Sequence, residues 1–344
     1  MTLSIRKTMT QILYKIVGDE QEKSNIEGIV VFGSYVKQSL HEHSDLDVFV
    51  LDSSLNDYDH TRKNFRGVTV ELYRWPTPFF QSILYSDEAN IYPKAFLFKI
   101  LREGNIKYDP LQILHKARAY VRVHTIPQKS IASLLQRTRK SLQLASSHID
   151  NQTDFLAEIE LRTSSENLGR LLLIKKQILD INPPKYYLPS LREAYPDFYN
   201  TFCFIHNLRL LEPTQIKKNI CRLKTWISTL YRQHCSLNNS GDKSTNLMNA
   251  ETELANAEDC FRDKDYEAAE LQTRYAAIYL ASLILYQNVV EPSELHTDIA
   301  LLLQCNHAYQ RVLLSILNGS LNRAQLQYYL DYLRQLTLHL SRPT

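Results

Sequence analysis

The spacing of apolar positions changes several times in the first hundred or so residues. Leu3, Ile5, Met9, Ile12, Leu13 and Ile16 recur at helical spacing and predict a helix over 3–17. Two short apolar runs follow, "GIVVF" at 28–32 and "LDVFVL" at 46–51. Their length and their β-branched and aromatic content predict strands. "GVTVELYRW" at 67–75 alternates, with Thr69, Glu71 and Tyr73 on one face and Val70 and Leu72 on the other, before Pro76 and Pro78 close it. A helix is expected over 89–102, and "EGNIKYDP" reads as a turn into a last short strand.

From about residue 112 strand signals stop. Helices are predicted over 129–148, 154–180, 190–210 and 214–233, with the Pro-rich "NPPKYYLP" at 182–189 as an interruption and Thr214, after Pro213, as an N-cap. "SLNNSGDKSTN" at 236–246 is polar, carries no apolar period and reads as a linker. Four more helices are expected over 247–262, 264–288, 293–317 and 320–340, the third stopped by Asn318-Gly319. "YAAIYLASLILY" at 275–286 is too short to span a bilayer and reads as a central core helix. The expected class is therefore α+β, a small mixed-sheet domain followed by all-α helical bundles. Its expected domains are 1–112, 113–240 and 247–344.

Composition narrows this little. With 40 basic against 37 acidic residues, the 344-residue chain has no dominant field, so charge gives no argument for a nucleic-acid partner. Eight glycines and 21 tyrosines suit a helix-rich protein. Cys203, Cys221, Cys235, Cys260 and Cys305 show no metal-type spacing and read as buried thiols of a reducing compartment. The N-terminus lacks the apolar core of a signal peptide. A cytoplasmic protein without a membrane partner is expected.

The chemistry concentrates near residue 45. Asp45 and Asp47 sit one residue apart at the start of an apolar strand, so both carboxylates point to one face while Leu46, Val48 and Val50 face the core. Two such charges ionise together only beside a cation. Hard oxygen donors in an incomplete shell suit Mg²⁺, which shares its coordination with water and phosphates. Gly33 lets a phosphate approach the backbone, Ser34 adds a hydroxyl and helix amides, and Lys37 is one turn on.

Gly33-Ser34, ten residues, then Asp45-Leu46-Asp47 resembles the signature of the polymerase-β-like nucleotidyltransferase superfamily, with Glu71 in "VTVELY" matching its third carboxylate. Lys37-Gln38 stands where many small members have Arg-Gly. The resemblance covers about residues 1–112 and implies that Asp45, Asp47 and Glu71 bind Mg²⁺, while Gly33, Ser34 and Lys37 bind the nucleotide. It also implies transfer of a nucleoside monophosphate, AMP by family habit, from a triphosphate such as ATP to an acceptor hydroxyl. Glu71 is either a metal ligand or the general base, and Glu88 is a more remote carboxylate. "LHEHSDLDV" and "VTVELY" are most similar to streptomycin and spectinomycin adenylyltransferases, which implies a small-molecule, aminoglycoside-like acceptor.

In such enzymes a helical domain supplies the acceptor site. "ELRTSSENLGRLLLIKKQIL" offers Arg162, Glu166 and Arg170, four apart on one face, as acceptor contacts; an exposed salt-bridged stripe is the plainer alternative. "DYEAAELQTRYAA" in the last region resembles HEPN or kanamycin-type helical bundles. Arg334 with His339, and Arg118 with His124, both fit the HEPN nuclease spacing; two hits in one chain show how little that pattern discriminates, and no ribonuclease role is expected. His206 and His307 read as ordinary core or surface residues. The alternative functions are modification of a protein or tRNA, as in toxin–antitoxin relatives, and a non-catalytic nucleotide-binding module. A homodimer is compatible with either.

Overall fold

The computed structural model describes residues 2–37, 44–87, 90–209, 212–234, 242–287, 307–317, 319 and 321–341. The protein is α+β and divides into two compact units, residues 1–133 and 134–344.

In the first unit, helix α1 (Thr2–Gln21) precedes strand β1 (Ile26–Phe32), the short α2 (Ser34–Lys37) and β2 (Leu46–Asp52). Then come β3 (Asp59–Phe65), β4 (Val68–Trp75), α3 (Thr77–Tyr85), α4 (Ile91–Glu103), β5 (Asn105–Tyr108) and α5 (Ile113–Val123). The five strands form one mixed sheet in the order β3-β4-β2-β1-β5. β2 and β4 run parallel; the other neighbours are antiparallel.

Side-chain alternation gives the sheet two unlike faces. Met9, Ile12, Leu13 and Ile16 of α1 join Ile29, Val31, Val48, Val50, Val70 and Leu72 in one apolar cluster. At roughly 1.5–3 kcal/mol per fully buried aliphatic side chain, this layer fixes which way each strand faces. The opposite face carries rings: Phe32, Phe49, Tyr73 and Trp75 pack against Phe80 of α3 and Phe96 of α4. Asp47 and Glu71 belong to that second face.

The second unit is helical: α6 (Gln128–Asp150), α7 (Asp154–Lys175), α8 (Pro184–Ala194), α9 (Pro196–Ile205), α10 (Pro213–His234), α11 (Asp242–Arg262), α12 (Tyr266–Gln287), α13 (His307–Leu317) and α14 (Arg323–Leu340). α6 begins in the last residues of the first unit. Nearly every residue of α7 from Ala157 to Ile174 is buried, so it is a central helix without a polar side. α12 is likewise buried through its Ala-rich middle, as expected for a core helix.

Several expectations need correction. β3 was not expected, because "DHTRKNF" is polar on both sides; it is an edge strand with little apolar burial to mark it. It turns into β4 through Arg66 (φ 52°) and Gly67 (φ 84°), a two-residue hairpin whose positive φ values match strand twist. α3 begins immediately after Pro76, so the prolines open a helix where only a strand end was expected. α5 was also missed. The 190–210 helix is two helices meeting at Tyr195-Pro196, and "NPPKYYLP" opens α8 where an interruption was expected. α10 starts at Pro213, which places Thr214 inside the helix, not at its cap. The linker reading fails from Asp242, where α11 begins; residues 235–241 and 288–306 lie outside the described residues. Cys203 and Cys260 are buried but Cys221 is exposed, against expectation; Cys235 and Cys305 lie outside the described residues.

Candidate active site

The site is built where β1 ends. Phe32 closes the strand, and Gly33 turns the chain at φ +73° into α2. Strand register sets a transverse row: Phe32 of β1 pairs with Asp47 of β2, Asp47 with Glu71 of β4, and Glu71 with Arg62 of β3. Cα partners on neighbouring strands lie on the same face, so the row presents two carboxylates and a guanidinium side by side. Asp45, two residues before Asp47, extends the same face. Gly33 is required twice over. Its φ is one that other residues rarely adopt, and a Cβ there would stand 2.0 Å from Oδ2 of Asp47.

The carboxylates are largely withdrawn from water: the side chains of Glu71 and Asp45 are 8% and 13% exposed. Their charge is met by Arg62, whose Nη2 lies 3.8 Å from Oδ2 of Asp45 and whose Nε lies 3.7 Å from Oε1 of Glu71. The Tyr73 hydroxyl donates to Oε2 of Glu71 at 2.5 Å, and His60 Nε2 lies 3.6 Å from that oxygen. His60 is the register partner of Tyr73, and their rings stack at 4.4 Å. One oxygen of Glu71 thus faces a cation, while the other is fixed by a phenol beneath an imidazole.

Among the described residues no group of three or more His, Cys, Asp and Glu side chains stands in a metal-holding arrangement. Asp45 and Asp47 are nonetheless an oxygen-only pair, the kind of partial set that a hard cation completes with water and phosphate. In donor chemistry the pair fits Mg²⁺.

Residues 15–109 match the family model described as "Polymerase beta, Nucleotidyltransferase". They form a polymerase-beta-type nucleotidyltransferase domain. No curated protein matches the chain. Among solved structures, a nucleotidyltransferase-like protein from Exiguobacterium sibiricum 255-15 is 12% identical, over 95% of this chain and 91% of that one, with a TM-score of 0.38. That likeness is too low to argue from.

Within residues 15–109, Gly33, Asp47 and Glu71 stand side by side, with Ser34 and Asp45 next to them along the chain. The Nζ of Lys37 pairs with Glu103 of α4 at 3.0 Å, both side chains being substantially exposed. The amides of Val36 and Lys37 both donate to the Gly33 carbonyl, so they belong to the short helix itself. Glu88 lies outside the described residues. His60 and Arg62 were missed. The available signal was alternation within "DHTRK", which puts both on one strand face once β3 is recognised.

Arg162, Glu166 and Arg170 do share a face of α7, and that face is interior. The exposed-stripe alternative is therefore corrected. Arg162 donates to the carbonyls of Ile205 and Leu317 and pairs with Glu158. Burial, with Arg274 nearby, brings its guanidinium down to about 9. Arg170 donates to Ile181 O at 3.2 Å and the Tyr275 hydroxyl at 2.8 Å, and lies 3.2 Å from Glu166, which also accepts from Tyr275. These bonds tie α7 to α9, α12 and α13 inside the helical unit; an acceptor could reach the charges only by breaking them.

Other basic and imidazole groups are similarly engaged. His206 is buried among Ser165, Phe202 and the Arg162 carbonyl; burial and the nearby arginines hold it well below the usual imidazole range. Arg118 donates to the carbonyls of Leu101 and Gly104, a purely structural tie. Arg334 pairs with Asp331 at 3.9 Å on the exposed side of α14. The side chain of His307 lies outside the described residues.

Proposed function

We propose that the protein is a magnesium-dependent nucleotidyltransferase that moves a nucleoside monophosphate, AMP from ATP, to a hydroxyl of a small-molecule acceptor. The observation that supports it best is the register pairing of Asp47 with Glu71 beside the Gly33 turn. It juxtaposes paired carboxylates and a Cβ-free backbone at one corner of the sheet.

In this reading Asp45 and Asp47 hold the metal, which when bound neutralises phosphate charge and favours departure of pyrophosphate. Gly33 makes the turn and leaves room for the Asp47 carboxylate, and Ser34 donates its hydroxyl to a phosphate oxygen. Glu71, kept in place by Tyr73, takes the proton of the attacking acceptor hydroxyl. A carboxylate fixed through one oxygen presents the other in a set direction for that task. Most of the acceleration then comes from positioning and electrostatics, without a covalent enzyme intermediate.

The test is incubation of the purified protein with each α-labelled triphosphate, Mg²⁺, and panels of aminoglycosides, total tRNA and cellular protein. Label transferred to a small molecule supports the reading. Label on tRNA or protein keeps the chemistry and replaces the acceptor. Nucleotide binding without transfer replaces the enzyme by a nucleotide-binding module.

A further inference from the structure

Arg62 is a permanent cation lying within 4 Å of two different site carboxylates, and it reaches them from an edge strand. Both separations, 3.7 and 3.8 Å, exceed hydrogen-bond length, so charge rather than a bidentate lock holds the guanidinium there. Its side chain is 30% exposed, which leaves it a route to solvent without disturbing the apolar layer under β2 and β4. Among the described residues β3 pairs with β4 alone and ends in a tight turn, and no second described strand constrains the outward swing of Arg62.

We propose that Arg62 is a resident counter-ion of the carboxylate row, which a divalent cation must displace and which then turns toward the bound triphosphate. This rests on the nucleotidyltransferase reading and deepens it. Neighbouring carboxylates ionise together only beside a cation. A guanidinium cannot be neutralised near pH 7, so it supplies that cation whenever the metal is absent. Metal entering alone must compete with it. Metal entering with a triphosphate offers the released guanidinium a new anionic partner. The two ligands therefore assist one another, and the site loads as a metal–nucleotide complex in preference to bare metal. Arg62 is in this scheme a positioning residue: it acts through Asp45, Glu71 and the phosphates rather than on the reacting bond.

The experiment measures Mn²⁺ binding to the full-length protein by electron paramagnetic resonance, with and without a non-hydrolysable triphosphate analogue. Wild type, Arg62→Ala, Arg62→Gln and Asp47→Asn are compared, each checked for folding by circular dichroism. Expected are an increase of about tenfold in Mn²⁺ affinity without nucleotide in both Arg62 variants, and a matching loss of the affinity gained on adding the analogue. Arg62→Gln keeps most of the side chain's bulk, so its agreement with Arg62→Ala sets aside a packing effect. Unchanged or weaker Mn²⁺ affinity in folded Arg62 variants overturns the proposal. If wild type binds Mn²⁺ and Asp47→Asn does not, that failure leaves the transferase reading standing. If none of the proteins binds Mn²⁺ even with the analogue, both fall.

Discussion

Gly33 and Asp47 interlock: Oδ2 of Asp47 occupies the space where a side chain on Gly33 would begin, 2.0 Å from an ideal Cβ. The turn at Gly33 and the position of the carboxylate are thus one feature. Gly33→Ala must therefore strain the backbone at φ +73° and push Asp47 aside. The expected result is a loss of about 1–3 kcal/mol in urea unfolding, together with a fall of at least about a hundredfold in nucleotidyl transfer. A variant with wild-type turnover would mean that Asp47 can move without consequence.

Asp47→Asn changes the charge of that side chain and hardly its volume. Circular dichroism should show a melting temperature within a few degrees of wild type, while transfer drops by about 10³-fold or more. Normal turnover would remove Asp47 from the metal pair.

Tyr73→Phe deletes the 2.5 Å bond to Glu71 and leaves the aromatic packing with Phe32 and Phe96 in place. If that bond orients Glu71 toward the acceptor, kcat should fall by about tenfold with the KM for triphosphate unchanged. A rise in triphosphate KM at constant kcat would instead put Tyr73 in nucleotide binding.

Arg162→Met tests the interior of the helical unit. Glu158, which also accepts from the Leu321 amide at 3.1 Å, would keep its charge and lose its cation. The expected cost is about 3–5 kcal/mol of unfolding free energy, partly recovered in the pair Glu158→Gln with Arg162→Met. A variant of unchanged stability and weakened acceptor affinity would restore these charges to a binding role.

Glu253 gives the helical unit a pH signature. Burial pushes its carboxyl up to about 7, while Lys185, Asn256 and Arg170 pull it down. A carboxyl raised above its unfolded value near 4.5 binds its proton more tightly when folded. Its contribution is complete below about 4.5 and is lost as pH rises through about 7. Urea midpoints from pH 5 to 8 should show wild type losing stability relative to Glu253→Gln, by at most about 3 kcal/mol. Parallel profiles for the two proteins would contradict this.

The candidate site was readable because its elements are local. Strand alternation alone puts Asp45 and Asp47 on one face and Glu71 on the face of Tyr73, and glycine at 33 marks a turn no other residue makes cheaply. The helices were readable where an apolar stripe meets a polar one. They were misread where a proline opens a helix instead of closing a segment, as at Pro76 and Pro196. β3 escaped because an edge strand buries too little to impose a pattern.

By itself the sequence determined the α+β class, the Gly33-Ser34 turn and the shared strand face of Asp45 and Asp47, since each follows from the period or backbone freedom of a few consecutive residues. Only the tertiary structure decided what stands opposite them. Arg62 and His60 enter the site through cross-strand register with β4, which the Arg66-Gly67 hairpin sets, and the pairing of β4 with β2 then carries them to Asp45 and Asp47. The same holds for Arg162 and Arg170: helical spacing put them on one face, and the packing of α7 among its neighbours turned that face inward, where buried charges must find partners.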